Sequence, residues 1–176
     1  MAQIIDQTYL RGEQYRDSSN LKKRSGLHER FSTNPTGWFV WVASQLAVFA
    51  PARVLEAGCG PALLWSSQDG LFPQAEQIIL SDFSAGMTSQ ARAALRAQPR
   101  PYQFAVADAM ALPYPDASCD LVIANHMLYH VPDRARAITE FARILRPGGV
   151  LAAATNGMQH LRELHEWIAQ AAGCPL

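Results

Sequence analysis

The pattern of apolar and polar positions changes near Pro51. Up to that point the chain reads as a polar to amphipathic helical arm. Beyond it, short apolar runs bounded by turn residues recur: "RVLEAG" (53–58), "QIILSD" (77–82), "YQFAVAD" (102–108), "CDLVIAN" (119–125) and "GVLAAAT" (149–155). Runs of this length without alternation predict strands buried on both faces. Helical stretches separate most of them. After Ser84, a suitable N-cap, "AGMTSQARAALRAQ" is rich in helix formers and stops before Pro99. "DRARAITEFARILRPGG" opens with Asp133, ends at Pro147-Gly148-Gly149, and places Ile138, Phe141, Ala142 and Leu145 on one expected apolar face. The final segment carries a helical stripe of Met158, Leu161, Leu164 and Ile168.

Strands alternating with helices require parallel neighbours joined by right-handed crossovers. The expected fold class is therefore α/β, a doubly wound, mostly parallel sheet with an N-terminal helical arm. Residues 1–50 form the arm and 51–176 the domain. Its 176 residues suffice to bury a core without a staple or metal. The apolar window Trp38 to Pro51 is too short to cross a bilayer, contains Ser44 and Gln45, and is expected to be a buried helix.

Charge and cysteines narrow the function. Fifteen basic and fifteen acidic side chains cancel, giving no electrostatic reason to expect nucleic acid or an anionic membrane as partner. Lys22-Lys23-Arg24 is read as a solvated helix face. Cys59, Cys119 and Cys174 are widely separated and odd in number, so they are expected to be free thiols. The N-terminus lacks the basic patch and apolar block of a signal peptide, and a cytoplasmic location is expected.

Ligands of doubly wound sheets bind beyond the carboxyl ends of the strands. Three successive strands finish on or beside an acid, Glu56, Asp82 and Asp108, 26 residues apart each time. All three are expected to face one crevice around a glycine turn containing Gly58 and Gly60. A strand-end acid can also merely cap the next turn, but three in register favour a ligand. The dinucleotide fingerprint would need a glycine at Leu63, and a P-loop would need a lysine, of which none follows Lys23. A carboxylate beside the turn repels a pyrophosphate and suits a cation.

Together these residues resemble class I S-adenosylmethionine-dependent methyltransferases, in particular the small-molecule type 11 branch, over roughly residues 35–156. "VLEAGCGPA" is similar to the family's glycine motif, which implies that Gly58 and Gly60 pass close to the methionine part of S-adenosyl-L-methionine. "LSDFSAGM" implies ribose hydroxyls on Asp82 and adenine near Phe83. "ADAMALPYPDASCDLV" implies Asp108 on the adenine amino group, the Ala109 backbone on a ring nitrogen and Met110 against the ring face. "ANHMLYHVPD" implies Asn125 beside the methionine amine, and "ILRPGGVLAAAT" the turn into the fifth strand. The implied reaction is direct displacement of a methyl group onto a small organic acceptor, leaving S-adenosyl-L-homocysteine.

His126, Tyr129 and His130 follow the fourth strand, where acceptors sit in this family, and are the candidate proton-accepting residues. Each could equally be a packing residue. Tyr9, Arg11, Tyr15, His28 and Trp38 of the arm are candidates for a lid. Asn125 is followed by His-Met-Leu rather than Pro-Pro-aromatic, which disfavours nucleic-acid amines as acceptors. No metal site is expected. Ala62 stands where many relatives carry a third glycine. The family's sixth and seventh strands do not follow the fifth, whose exposed edge would pair with more chain, a partner chain or a second copy. A non-catalytic cofactor-binding module is the alternative reading.

Overall fold

A computed structural model of the chain describes residues 5–100, 102–157, 159 and 162–173. The elements in order are α1 (Gln7–Tyr9), running into a π-helical turn at Leu10–Gln14, α2 (Ser19–Phe31), α3 (Trp38–Leu46), β1 (Arg53–Ala57), α4 (Leu63–Ser67), β2 (Gln77–Asp82), α5 (Ala85–Ala94), β3 (Tyr102–Val106), β4 (Cys119–Asn125), a 3-10 turn at Leu128–His130, α6 (Arg134–Ile144), β5 (Leu145–Ala154) and α7 (Arg162–Ala172).

The five strands pair in parallel in the order β3-β2-β1-β4-β5. Chain order reverses beside β1, so the crevice opens between the carboxyl ends of β1 and β4. All five apolar runs are strands, and β1, β2 and β4 are apolar almost throughout because both faces are covered. One core, including Val42, Leu46, Trp65 and Leu80, lies on one face; the other holds Leu55, Val122, Phe141 and Ile144.

Three expectations are corrected. On α6 the buried face is Ala137, Phe141 and Ile144, at i, i+4 and i+7, whereas Ile138 is 46% exposed and Ala142 also faces out. One step of 100° around the helix carries position 138 off the sheet. Leu145 has left the helix and opens β5, pairing with Cys119 across a register shift that precedes Leu121. The Trp38–Pro51 window is helical only to Leu46 and buries one face, Val42, Ala43 and Leu46, while Trp38, Val40 and Trp41 remain substantially exposed.

Both caps read from the sequence are present: Ser84 Oγ accepts from the Met87 amide at 3.3 Å and Asp133 Oδ1 from Arg136 at 3.0 Å. Asp120, an acid not singled out in the sequence, is buried and holds the entry to β1, accepting from the Ala52 and Arg53 amides at 2.7 and 2.8 Å. Cys59 and Cys119 are free and buried; Cys174 lies outside the described residues, as do the side chains of the expected Met158–Ile168 stripe. Among the described residues no strand lies beyond β5, and no helix is long and apolar enough to cross a membrane.

Candidate functional site

The loop leaving β1 is built by glycine. Gly58 and Gly60 have φ of 72° and 55°, in the left-handed region that side chains with a Cβ avoid. A Cβ on Gly58 would lie 2.6 Å from Cβ of Met127, so the loop also needs glycine to pass the β4 end. Ala62 takes a φ of 61° as well and is wholly buried, so it fills the place of a third glycine at the cost of left-handed strain.

Asp82 holds that loop in place. One carboxylate oxygen accepts from the Gly60 amide at 2.9 Å and the other from Ser84 at 2.8 Å. Each oxygen has a second lone pair, so the carboxylate can accept further hydrogen bonds from a ligand. Burial pushes its pKa upward, and the backbone amides oppose that shift.

Glu56 is 3% exposed and lies on the same face as Trp65, whose indole Nε1 donates to it at 2.6 Å. Burial raises its pKa to about 8. The Trp65 bond pulls down, and the charge of nearby Asp82 adds to the rise. The Asn125 amide also pulls it down, although its Nδ2 falls outside hydrogen-bond geometry and is buried without a partner. Glu56 is therefore largely a neutral acid at pH 7. A positive group arriving beside it would favour the carboxylate.

Asp108 is at the next strand end, but its Oδ1 turns back to accept from the Met110 amide at 2.8 Å. That is the turn-capping role open to any strand-end acid. Glu56 and Asp82 interact, and Asp108, capped as Asp82 is by the amide two residues on, lies next to buried Ala109 and partly buried Met110. Phe83 is covered by the arm, with the Arg11 guanidinium carbon 3.9 Å from its ring centre.

The β4 side is made of rings. His126 has a φ of 53° and donates its amide to Ala154 at 2.8 Å. A non-glycine residue held in this region at a strand end is strain of the kind that collects at functional sites. Trp38 lies 4.8 Å from His126 and Tyr129 lies 4.5 Å from His130, centre to centre. Tyr15 of the arm reaches His130 Nε2 with its hydroxyl at 2.6 Å. Of the arm candidates, Arg11, Tyr15 and Trp38 thus reach the strand ends. The Tyr9 hydroxyl instead bonds Gln14, and His28 is exposed on α2. No local signal in the sequence links Tyr15 to His130, or Trp65 to Glu56, because both contacts are tertiary.

The donor set fits S-adenosylmethionine. Asp82 has lone pairs to spare, Glu56 and Asn125 place a buried acid and an unpartnered buried amide donor beside one another, and the Cβ position of Gly60 meets nothing nearer than the Leu21 side chain at 3.9 Å. Among the described residues no group of histidine, cysteine and carboxylate side chains is placed to hold a metal ion.

A family model described as a methyltransferase domain matches residues 55–153. The chain is similar to the 27-O-demethylrifamycin SV methyltransferase of Amycolatopsis mediterranei, 38% identical over 122 residues, which cover 63% of this chain and 41% of that protein. Among solved structures it resembles the [4+2]-cyclase SpnF, at 28% identity and a TM-score of 0.55, covering 64% of this chain and 42% of that one. It also shares the fold of the N-methyltransferase NodS of Bradyrhizobium japonicum WM9 in complex with S-adenosyl-L-homocysteine, at 22% identity and a TM-score of 0.55, covering 70% and 64% of the two chains. The chain spans less than half the length of the curated relatives it matches. By the glycine loop, the strand order and the family match, the chain belongs to the methyltransferase-domain family, in the type 11 branch of the class I enzymes that use S-adenosyl-L-methionine.

Proposed function

We propose that the protein transfers a methyl group from S-adenosyl-L-methionine to a small organic acceptor by direct displacement. The observation that carries this reading is the Asp82 carboxylate, fixed by the Gly60 and Ser84 amides beside the glycine loop that follows the buried Glu56 of β1. When bound, the cofactor supplies an activated methyl group on a positively charged sulfur.

This chain's residues do the rest. Asp82 accepts from the ribose hydroxyls, each a charge-assisted bond of roughly 1.5–3 kcal/mol. Phe83, Ala109 and Met110 line the adenine, with Asp108 accepting from its amino group. Gly58 and Gly60 let the backbone approach the methionine part. Glu56 and Asn125 meet its charged end, and Glu56 gives up its proton as the positive charge arrives. His126, Tyr129 and His130 face the acceptor, and a histidine takes the proton that an acceptor hydroxyl or amine must lose. Positioning supplies much of the rate, since a near-attack geometry is worth on the order of 7–11 kcal/mol at best.

A second reading is a cofactor-binding module without methyl transfer. It is favoured by the likeness to a protein named as a cyclase and by the span of under half of the curated relatives. β5, the outermost strand, would then be completed by further strands or a partner chain. Incubating the protein with methyl-labelled S-adenosylmethionine and small-metabolite extracts separates the two. Label in an organic product, lost with Asp82→Ala, supports the first; cofactor binding with no labelled product from any extract supports the second.

A further inference from the structure

We infer that Tyr15 is a positioning residue of this site: its hydroxyl bond to His130 Nε2 makes closure of the N-terminal arm over the crevice and orientation of the His130 ring a single event. The inference rests on the proposed methyl-transfer reading.

The arm crosses the mouth of the crevice and touches three strand ends. At the β1 end, a Cβ on Gly60 would lie 3.9 Å from the Leu21 side chain. At the β2 end Arg11 covers Phe83, Ser84 Oγ donates to the Tyr15 carbonyl at 2.6 Å, and Gln90 Oε1 accepts from the Ser18 amide at 2.9 Å. Gly86 packs so closely that a Cβ there would collide with the Arg16 carbonyl oxygen. At the β4 end, Gln7 Nε2 donates to the His130 carbonyl at 3.1 Å and Tyr15 Oη meets His130 Nε2 at 2.6 Å. Leu10 and Ser18 are buried, so this segment is packed down rather than loosely laid.

The two sides of this bridge differ in kind. At the β2 end the Tyr15 carbonyl, the Ser18 amide and the Arg16 carbonyl make their contacts with backbone atoms of the arm, which any side chain would preserve. At the β4 end the Tyr15 phenol reaches the His130 ring through its side chain, edge-on with ring centres 5.0 Å apart. Phenylalanine keeps the ring contact and the Ser84 bond and loses just the hydroxyl clasp. Whichever partner carries the shared proton, the bond fixes one imidazole nitrogen and therefore the plane of the ring. Closure of the arm adds this bond to the edge contact that Tyr129 already makes with the ring.

The test uses the full chain, 15N-labelled, with S-adenosyl-L-homocysteine as the probe. Its dissociation rate is read by stopped-flow tryptophan fluorescence, and the imidazole nitrogens of His130 by long-range 1H–15N spectra. Tyr15→Phe is expected to release the probe roughly 5–10-fold faster, from the loss of one hydrogen bond, and to shift the His130 nitrogens. His130→Gln is expected to speed release similarly, with the double variant no faster than the faster single one. Gly86→Ala, which pushes the arm away at its other end and alters neither partner, is expected to give the same fast release and the same His130 shift.

The inference is overturned if Tyr15→Phe releases the probe at the wild-type rate, if the His130 nitrogens do not move, or if the two single effects multiply. Wild-type protein that fails to bind the probe at millimolar concentration overturns the methyl-transfer reading itself, and the inference with it. Binding with an unchanged rate in Tyr15→Phe removes the inference alone.

Discussion

The carboxyl ends of β2 and β4 stand on either side of β1 and are built from different materials. At the β2 end a carboxylate is locked by two backbone amides, and the neighbouring loop is shaped by glycines. At the β4 end a row of rings runs from Trp38 through His126 and Tyr129 to His130 and Tyr15, with one backbone residue held at a positive φ. The first wall depends on the backbone and suits a ligand that does not vary. The second depends on side chains, which can be exchanged without moving the sheet, and suits an acceptor that differs from one relative to the next. On the proposed reading, Trp38 of the second wall is expected to serve the acceptor without changing cofactor binding, whereas Tyr15 and His130 tie that wall to the arm.

The largest effect expected is on the backbone wall. Gly58→Ala forces an alanine to a φ of 72° and its Cβ into Met127, which should cost about 2–5 kcal/mol from left-handed strain and overpacking. Thermal melting should show a fall on the order of 10 °C, and cofactor binding should be lost. A wild-type melting temperature would mean that the loop is not set by glycine.

Glu56 sharpens the comparison through pH. Its carboxyl titrates near 4.5 when unfolded and at about 8 when folded, so the folded state holds a proton that the unfolded chain loses between those values. Stability from this group is fully present below about pH 4.5, falls by up to ~1.4 kcal/mol per pH unit as pH rises, and is lost once pH passes about 8. The upward shift of Asp82 acts with the same sign. Glu56→Gln should flatten the fall in urea-unfolding free energy between pH 5 and 8, and the wild-type affinity for S-adenosylmethionine should rise over pH 6 to 8. An unchanged slope in the variant would place the proton elsewhere.

On the ring wall, Trp38→Ala removes the contact with His126 and should cost about 0.5–1.5 kcal/mol. Turnover of the acceptor found by the labelling screen should fall while the cofactor dissociation constant stays within twofold. Loss of cofactor binding would show the two walls to be coupled. The smallest effect belongs to Ala62→Gly. Relief of left-handed strain, roughly 1–2 kcal/mol, is set against a lost buried methyl of about 0.8 kcal/mol and the added freedom of glycine in the unfolded chain. Chemical denaturation should place the variant within about 1 kcal/mol of wild type.

The two walls also differ in how far the sequence reveals them. A strand buried on both faces is an uninterrupted apolar run, so β1, β2 and β4 can be read, and with the first two the acids Glu56 and Asp82. The caps at Ser84 and Asp133 are equally local. Leu145 reads as an apolar position of the preceding helix, which Pro147-Gly148-Gly149 would end, yet pairing with β4 draws Leu145 into the sheet. The wrong face assigned to α6 has a similar origin, since Ile138 looks apolar in isolation and only the sheet selects Ala137 instead. Trp65 on Glu56 and Tyr15 on His130 join residues 9 and 115 positions apart, and nothing in local pattern predicts such pairs. Asp82 and Asp108 both accept from the amide two residues on, but only Asp82 also holds the glycine loop, through Gly60, a contact between strands that spacing cannot foretell.

On the proposed reading, strand-end acids hold a cationic sulfur cofactor against the glycine loop. Calorimetric titration of S-adenosylmethionine into the wild-type chain and into Asp82→Ala tests it most directly. Saturable binding below millimolar concentration is expected, weakened about 10-fold or more by the substitution. Equal dissociation constants for the two proteins, or no wild-type binding at millimolar ligand, would contradict it.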